Sequence, residues 1–460
     1  MKEIIVMWRR LLYVVTGLLV LSSCDDYLDI KSSTNMALVS TLEDVEAILD
    51  NTQIMNYRSP CMGESSADDI YIPNPVYDRI VKAASRDIYV WKNADYEQAS
   101  NPWGISYETI FYANVCLKTL DEMAVKEGEK NRWNRAKGAA LVFRANSFLR
   151  AIWIWSKAYD ESTASSDLGI VLKTNPDVNE RSVRASVAES FEKVIVDLKA
   201  AMPLLPHRSD LPVRPSKVAV YGLLSRAYLS MRDYANAEKY ADSCLTIQND
   251  LLDFNTDIKL PTATSSVNPF TIFNKEVIFS TAIGLYAFPS STTYAVIDTN
   301  LINSYQTDDL RRFAFFRNTA NGAVMRGNFS INSTQYFTGV STAEMWLTKA
   351  ECLVRRGQIR EGLTGVDNLL KRRYKVGTSP YLDMGMDRLE ALQLVLLERR
   401  KELVTRNLRW MDIKRLNKEG ANIILTRLVN GETYTLPPND DRYALPLPSD
   451  VIRLTGMPQN

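Results

Sequence analysis

Two irregular stretches of this chain carry aromatic residues, with acidic residues in the first, and such side chains can recognise a carbohydrate or a peptide. Aromatic rings stack on apolar faces such as those of sugar rings, and each contact contributes about 0.5–1.5 kcal/mol beyond the buried area. Carboxylates accept hydrogen bonds from hydroxyl groups. We predict ligand-binding roles for residues of the first stretch, Asp68, Asp69, Tyr71, Tyr77, Trp91 and Tyr96, and of the second, Tyr286, Phe288 and Tyr294.

Each of these residues also has a plainer interpretation. An aromatic side chain often serves core packing, and Asp68-Asp69 can equally be a helix cap or a turn acid. Trp153 and Trp155 lie in a long helical pattern and are assigned to the core.

Residues that could catalyse a reaction are few. His207 is the single histidine and lies in a loop-like stretch, and one histidine does not build a histidine-rich zinc site. Glu398, Arg399 and Glu402 share a predicted helix, but the basic residues beside them favour an ion-pair network over acid–base catalysis. No phosphate-binding, dinucleotide-binding, HExxH or EF-hand motif occurs. We predict no catalytic residues, no cofactor and no metal site, although scattered oxygen ligands could still form a calcium site.

The N-terminal residues have the layout of a secretory signal. Arg9-Arg10 precede the apolar run Leu11–Leu21, and Ser22-Ser23-Cys24 follow it. This order resembles the lipobox of bacterial lipoproteins, in which the chain is cut just before a cysteine that carries a lipid. We therefore predict that residues 1–23 are removed, that Cys24 is lipidated and that residues 24–40 form a tether. One alternative is a transmembrane anchor, but the run has about 11 residues where a spanning helix needs roughly 20. The other is a plain signal peptide with an incidental cysteine.

The composition is that of an ordinary folded protein of 460 residues. A net charge of +1 and the lack of a dense basic block argue against a nucleic-acid partner. Cys61, Cys116, Cys244 and Cys352 are far apart in sequence and form no CxxC pair. We interpret them as buried free thiols, and a disulfide stays open because the chain is predicted to be exported.

The elements that must position the candidate residues are mostly helices. Leu224–Leu245 and Ala350–Leu369 each resemble a tetratricopeptide helix pair, with Ala237 and Gly362 where the paired helices must approach closely. Residues 250–340 between them are rich in Thr, Ser, Asn and Pro and contain short strand-like runs. Ordinary amphipathic hairpins are the alternative. We predict a mainly α fold in which tetratricopeptide-like helix hairpins form a scaffold, with loop-rich insertions and a few short strands.

Motifs occur in a fixed order along nearly the whole mature chain. The first is Cys24-Asp25-Asp26-Tyr27-Leu28-Asp29. The others are Trp103, Tyr107, Ile110, Ala113, Asn114 and Leu117; Gly138-Ala139-Ala140 with Phe143-Arg144-Ala145; Gly169-Ile170-Val171; Arg214, Lys217, Ala219, Leu224, Arg226, Ala227 and Tyr228; Asn274, Glu276, Val277 and Ile278; Glu344, Leu347, Ala350 and Glu351; Glu398-Arg399, Glu402-Leu403, Arg409-Trp410, Asp412 and Arg415; and Gln459-Asn460. In this order they resemble the SusD/RagB family of Bacteroidetes outer-membrane lipoproteins. The chain departs from the family at Ala139, where glutamate is usual, and at Arg406-Asn407, where an acidic residue and glycine are usual.

The resemblance implies one SusD-like α-helical domain over residues 41–460. Its N-terminal part would be residues 41–215, and its C-terminal part, residues 216–460, would carry the insertion 250–340. The resemblance assigns a structural role to Trp103 and Tyr107, which follow the helix rhythm of the family. It also implies a non-catalytic surface receptor that binds an oligosaccharide or a peptide and caps a SusC-like TonB-dependent transporter. Cys24 would anchor this receptor in the outer leaflet of the outer membrane. A lipid-anchored glycosidase and a helical-hairpin scaffold lipoprotein are the alternative functions.

Overall fold

The computed structural model describes residues 39–96, 101–284, 295–330, 335–380 and 382–460. Helices dominate these residues, which confirms the mainly α prediction. In chain order the helices are α1 (Leu42–Leu49), α2 (Thr52–Met55), α3 (Met62–Ser66), α4 (Asn74–Tyr77), α5 (Ala83–Tyr89), α6 (Pro102–Glu122), α7 (Lys130–Trp155), α8 (Val187–Ala201), α9 (Lys217–Met231), α10 (Tyr234–Ile247), α11 (Thr299–Ser304), α12 (Arg311–Phe315), α13 (Thr342–Arg355), α14 (Ile359–Arg373), α15 (Arg388–Glu402), α16 (Arg409–Asn417) and α17 (Ser449–Thr455).

The strands are short, as predicted. They are β1 (Ile70–Tyr71), β2 (Leu168–Val171), β3 (Arg184–Ser186), β4 (Val277–Phe279), β5 (Val296–Ile297), β6 (Phe316–Thr319), β7 (Gly322–Met325), β8 (Val340–Ser341), β9 (Leu425–Val429) and β10 (Glu432–Leu436). Within the described ranges they form antiparallel pairs, namely β1–β5, β2–β3, β4–β8, β6–β7 and β9–β10. The pairs β1–β5 and β4–β8 join segments that are distant in sequence.

Two helix hairpins form the tetratricopeptide-like scaffold. In the α9–α10 hairpin, Ser225 Oγ donates to Ala237 O at 2.9 Å, which brings the two helix backbones close together. In the α13–α14 hairpin, Gly357 turns the chain at a φ of +90°, and a Cβ on Gly362 would lie 2.8 Å from Val354 Cγ2. Ala237 and Gly362 therefore lie at close approaches, as predicted. At Gly362 a larger side chain would clash with Val354 of α13.

The two hairpins are neighbours in space although residues 250–340 separate them in the chain. Helix α10 packs on α13, and α13, α14 and α15 share a buried core that includes Leu347, Leu363 and Val395. The insertion is closed at its base, since Val277 of β4 is paired with Ser341 of β8 directly before α13 begins. The loop-rich segment thus starts and ends on the helical scaffold.

The N-terminal helices α6, α7 and α8 pack in succession. Arg144 of α7 joins two of them, because its Nε and Nη2 donate to the Asp197 carboxylate of α8 at 2.8 and 2.9 Å. Trp153 and Trp155 are 5% and 0% exposed, which confirms their assignment to the core. None of the described helices combines the length and the apolar character needed to cross a bilayer. The cysteines interpreted as thiols are free and buried: Cys61, Cys116, Cys244 and Cys352.

Candidate ligand-binding site

Asp68 and Asp69 follow α3 and bind arginines from the far end of the chain. Arg409 Nε and Nη2 donate to Asp68 at 2.7 and 2.9 Å, and Arg400 Nε donates to Asp69 Oδ1 at 2.8 Å. Burial alone would raise the pKa of Asp68, but the Arg409 and Arg400 guanidinium groups hold that pKa well below its usual range. Neither the ligand-binding nor the capping interpretation anticipated this arrangement. In this structure the arginines occupy both carboxylates, and Asp69 is only 1% exposed.

Trp91 and Tyr96 lie in the interior and offer no open ring face to a ligand in this structure. Trp91 is 2% exposed, and its Nε1 donates to Ser66 O at 3.0 Å. Tyr96 is 6% exposed; its hydroxyl donates to Pro446 O and accepts from Trp155 Nε1. Both rings therefore follow the core-packing alternative, because polar contacts on their heteroatoms satisfy them inside the fold.

Tyr71 and Tyr77 are the two predicted aromatics of the first stretch that keep part of their surface exposed. Tyr71 belongs to β1, and its hydroxyl donates to Asn321 O at 3.4 Å. Tyr77 ends α4 and packs on Tyr89, with ring centroids 5.9 Å apart. Burial raises the pKa of Tyr77 to about 12.

The first irregular stretch is joined to the insertion along a contact that we call the seam, formed by residues 56–71 with residues 280–284 and 295–297. Backbone hydrogen bonds run from Ala282 N to Asn56 O at 3.0 Å and from Gly284 N to Ser59 O at 2.9 Å. At the other end Tyr71 of β1 is paired with Val296 of β5. Cys24 and the second predicted set, Tyr286, Phe288 and Tyr294, lie outside the described residues. Residues 284 and 295, which flank the second set, both belong to the seam.

The tip of the β6–β7 hairpin lies on the seam because residue 322 is glycine. Gly322 has a φ of +126°, which L-residues with side chains rarely adopt. A Cβ on Gly322 would be 2.6 Å from Val296 Cγ1 and 3.3 Å from the Tyr71 hydroxyl oxygen. A side chain there would push the hairpin away from Tyr71, so this glycine fixes one wall beside the tyrosine.

A second aromatic surface was missed at the sequence level. Trp103, Tyr107 and Phe111 of α6 line a cavity of about 320 Å³ together with Val178 and Leu454. The Trp103 and Tyr107 rings stack with centroids 4.4 Å apart, and Trp103 is 6% exposed, which agrees with its structural assignment. The spacing of four residues between successive aromatics was the available signal, since such residues share one helix face. We call this cavity the α6 pocket.

The carboxylates of α15 belong to a buried ion-pair network, as predicted. Arg311 Nη2 donates to Glu398 Oε2 at 2.6 Å, and Arg373 Nη2 donates to Glu402 Oε1 at 2.8 Å. Burial opposes the ionisation of Glu402, yet the Arg373 and Arg311 charges hold its pKa below the usual value. The members of this network, which joins the insertion to α14 and α15, are Glu276, Asp309, Arg311, Arg373, Glu398, Lys401 and Glu402.

His207 and Arg399, the other residues considered for catalysis, make ordinary structural contacts. His207 is exposed in the loop before α9, and its carbonyl oxygen accepts from Val218 N at 3.2 Å. Arg399 of α15 binds the Asp412 carboxylate at 2.9 Å. Among the residues that the structure describes, no three His, Cys, Asp or Glu side chains are grouped to hold a metal ion.

The fold and the seam define a class of protein: a scaffold of packed helix hairpins from which long loop-rich segments extend, an architecture suited to binding. Within that class the chain belongs to the SusD family. The family pattern described as "SusD family" matches residues 263–455, and the pattern described as "Starch-binding associating with outer membrane" matches residues 26–229. The family predicted from the motifs is therefore confirmed. No curated protein matches the chain.

Solved structures share the fold. A SusD superfamily protein from Bacteroides thetaiotaomicron is similar at 20% identity and a TM-score of 0.72, over 91% of this chain and 99% of that one. A putative sugar binding protein from Bacteroides vulgatus matches at 19% identity and a TM-score of 0.70, over 92% and 99% of the two chains. A SusD-like carbohydrate binding protein from the same organism matches at 19% identity and a TM-score of 0.64, over 90% and 96%. At such identities the likeness establishes the fold alone.

Proposed function

We propose that this protein is a non-catalytic cell-surface receptor that binds a glycan, or alternatively a peptide, at the seam. It delivers the ligand to a SusC-like TonB-dependent transporter of the outer membrane and is anchored there through a lipid on Cys24. Family membership supports a nutrient-binding role, and the names of similar structures mention sugar and carbohydrate binding. The observation that carries the location is the β1–β5 pairing. In this pairing Tyr71 lies opposite Val296, the first residue of β5. Tyr294 is two residues before Val296 in the sequence.

The placement of the carboxylates supports binding rather than hydrolysis. A glycosidase needs two carboxyl groups that face the scissile bond, one as acid and one as base or nucleophile. Glu398 and Glu402 are buried and hold arginines. Asp69 of the seam is also buried and holds Arg400, and the partly exposed Asp68 beside it holds Arg409. In this structure each of these four carboxylates is held by an arginine rather than free to face a glycosidic bond.

The function is tested with a panel of glycans and peptides against the purified mature protein. We expect saturable binding of one ligand class without turnover. Hydrolysis of a bound glycan would instead establish the glycosidase alternative. Co-purification of a β-barrel transporter from outer membranes supports the delivery role, and a complex that contains only other soluble proteins would favour the scaffold alternative.

Tyr71→Ala should weaken ligand binding at the seam. Loss of one stacking ring is worth about 0.5–1.5 kcal/mol, so we expect the dissociation constant to rise about 2- to 12-fold, as measured by calorimetry with the best ligand of the panel. Tyr221→Ala is the matched control, because Tyr221 is also half-buried but packs on Tyr240 of the scaffold. Equal losses in both variants, or no loss in Tyr71→Ala, would remove Tyr71 from the site.

Cys24→Ser should release the protein from the membrane. Lipid chains provide the anchor in the proposed arrangement, and serine carries no thiol for acylation. We expect the wild-type protein in the membrane fraction and the variant in the soluble fraction, as measured by immunoblotting of fractionated cells. Cys61→Ser is the control, since Cys61 is a buried free thiol. A variant that stays in the membrane fraction would contradict lipidation at Cys24, and wild-type protein that resists proteolysis of intact cells would contradict exposure on the surface.

A further inference from the structure

The α6 pocket has a volume of about 320 Å³, which lies within the range of small-molecule sites. Trp103 lines it, and the Trp103 ring packs edge-on against the buried Trp155 ring with centroids 5.0 Å apart. On the C-terminal side, Arg184 Nη1 donates to Pro458 O at 3.2 Å, directly after the lining residue Met457. Contacts within the protein therefore hold the walls of the pocket in place.

Two polar side chains that line the α6 pocket are already hydrogen-bonded to the protein. The Tyr107 hydroxyl donates to Val171 O at 2.9 Å and accepts from Val171 N at 3.1 Å. Asn114 Nδ2 donates to Lys173 O at 2.9 Å, and Asn114 Oδ1 accepts from Arg144 Nη1 at 2.8 Å. A sugar hydroxyl group would find these groups occupied, so the pocket favours a ligand that needs few hydrogen bonds.

The described residues that line the α6 pocket carry no net charge. Lys173 and Asp177 are the charged ones among them. Lys173 Nζ lies 3.6 Å from Glu180 Oε2, so its charge has a partner in the protein. Asp177 is exposed to solvent, and its Oδ1 accepts from Asn179 N at 2.9 Å. An ion would lose hydration in this largely apolar cavity, so its charge balance favours an uncharged ligand.

Large apolar side chains at the rim of the α6 pocket are exposed. Val178, in the loop after β2, is 79% exposed, and Leu454 of α17 is 77% exposed. Both line the pocket, together with the half-buried rings of Tyr107 and Phe111. Single exposed apolar residues are ordinary, but two of them on one aromatic cavity form a patch of the kind that marks a binding site.

We propose that the α6 pocket binds a small uncharged molecule that contains an aromatic ring. The ring packs against Tyr107 and Phe111, because aromatic pairs gain energy beyond the area that they bury, and Val178 and Leu454 cover it from the rim. The proposal goes beyond the receptor function and does not depend on it, since the seam is formed by other residues. A second copy of the chain is the competing occupant of the apolar rim.

Crystals of the mature protein soaked in 4-bromobenzyl alcohol locate the ligand directly, because bromine scatters anomalously and the alcohol is uncharged. We expect an anomalous peak inside the α6 pocket, within van der Waals distance of the Phe111 ring. Peaks only at other places, or no peak at all, would overturn the proposal.

Calorimetry in solution tests both the ligand class and the place of binding. The wild-type protein should bind benzyl alcohol about 2- to 12-fold more tightly than cyclohexylmethanol, whose ring has a similar size but no aromatic face. Leu454→Asp should weaken the binding of benzyl alcohol severalfold, because it places a charge at the rim. Leu428→Asp is the matched control, since Leu428 of β9 is also exposed, at 67%, and does not line the pocket.

Equal affinities for the two alcohols would overturn the assignment of an aromatic ligand, and equal affinities of the two variants would remove the α6 pocket as the site. Both substitutions are at exposed positions, so we expect both variants to fold. Sedimentation of the wild-type protein examines the competing occupant. Self-association that Leu454→Asp abolishes, in a protein that binds neither alcohol, would show that a second copy covers the rim and would overturn the proposal.

Discussion

Arg373→Met should lower the free energy of unfolding by about 3–5 kcal/mol, because it leaves two buried carboxylates without their shared cation. Arg373 is 0% exposed, and its Nη2 donates to Glu402 Oε1 at 2.8 Å and to Glu276 Oε1 at 2.7 Å. Methionine replaces much of the side-chain volume but none of the charge. Arg311 still contacts Glu402 at 3.2 Å, whereas Glu276 forms its ion pair with Arg373.

Urea denaturation of wild type and variant measures this loss. Arg372→Met is the matched control, because Arg372 directly precedes Arg373 in α14, lies partly exposed and donates to Asn368 O at 2.8 Å. We expect its free energy of unfolding to change by no more than about 0.5 kcal/mol. A second substitution sharpens the test. Glu276→Gln should destabilise the wild type and stabilise Arg373→Met, because only the variant leaves the Glu276 charge unpaired. The same sign in both backgrounds would contradict the ion-pair account.

Glu64→Gln should stabilise the protein at alkaline pH and leave its stability almost unchanged near pH 4.5. Burial and the neighbouring Asp69 charge raise the pKa of Glu64 to about 8. The folded state therefore binds this proton more tightly than the unfolded state, whose pKa is near 4.5. Stability conferred by the proton is complete below pH 4.5 and is lost as the pH rises towards 8, by about 1.4 kcal/mol for each pH unit.

Glutamine removes this titration while keeping the shape of the side chain. Glu64 Oε2 accepts from Asn407 N at 2.8 Å, and a glutamine oxygen can accept the same hydrogen bond. Free energies of unfolding at pH 4.5, 7 and 9 provide the measurement, and the difference between variant and wild type should grow with pH and level off above 8. Two curves that run parallel across this range would show that Glu64 is not buried in its protonated form.

Local patterns in the sequence predicted the scaffold well. Gly362 and Ala237 lie at the close approaches where the repeat pattern places small residues, since helix pairing depends on side chains a few positions apart. The ion pairs of Glu398 and Glu402 were also predicted, because the alternation of acidic and basic residues on α15 is visible locally. The partners of these acids were not predicted, because Arg311 lies in the insertion and Arg373 on another helix.

The candidate site was harder to predict from the sequence than the scaffold. Asp68 and Asp69 are followed by aromatics, which suggested a ligand, but their partners Arg409 and Arg400 are more than 300 positions away. Trp91 and Tyr96 lie in a stretch whose composition is typical of a binding loop, and only the tertiary structure shows that both side chains are buried. The pairing of β1 with β5 was equally hidden, since each strand has two residues and shows no alternation to detect.

The long-range attachment of β1 has a consequence for folding during synthesis. Arg427 Nη1 donates to Ile70 O at 2.7 Å, and Arg409 binds Asp68. Ribosomes make the chain from its N-terminus, so these contacts cannot form until nearly the whole polypeptide exists. Their sequence separation gives this region a high contact order, which slows folding. The helical hairpins, whose contacts are local, can form earlier, and the tyrosine-bearing surface at the seam is therefore among the last parts of the molecule to be completed.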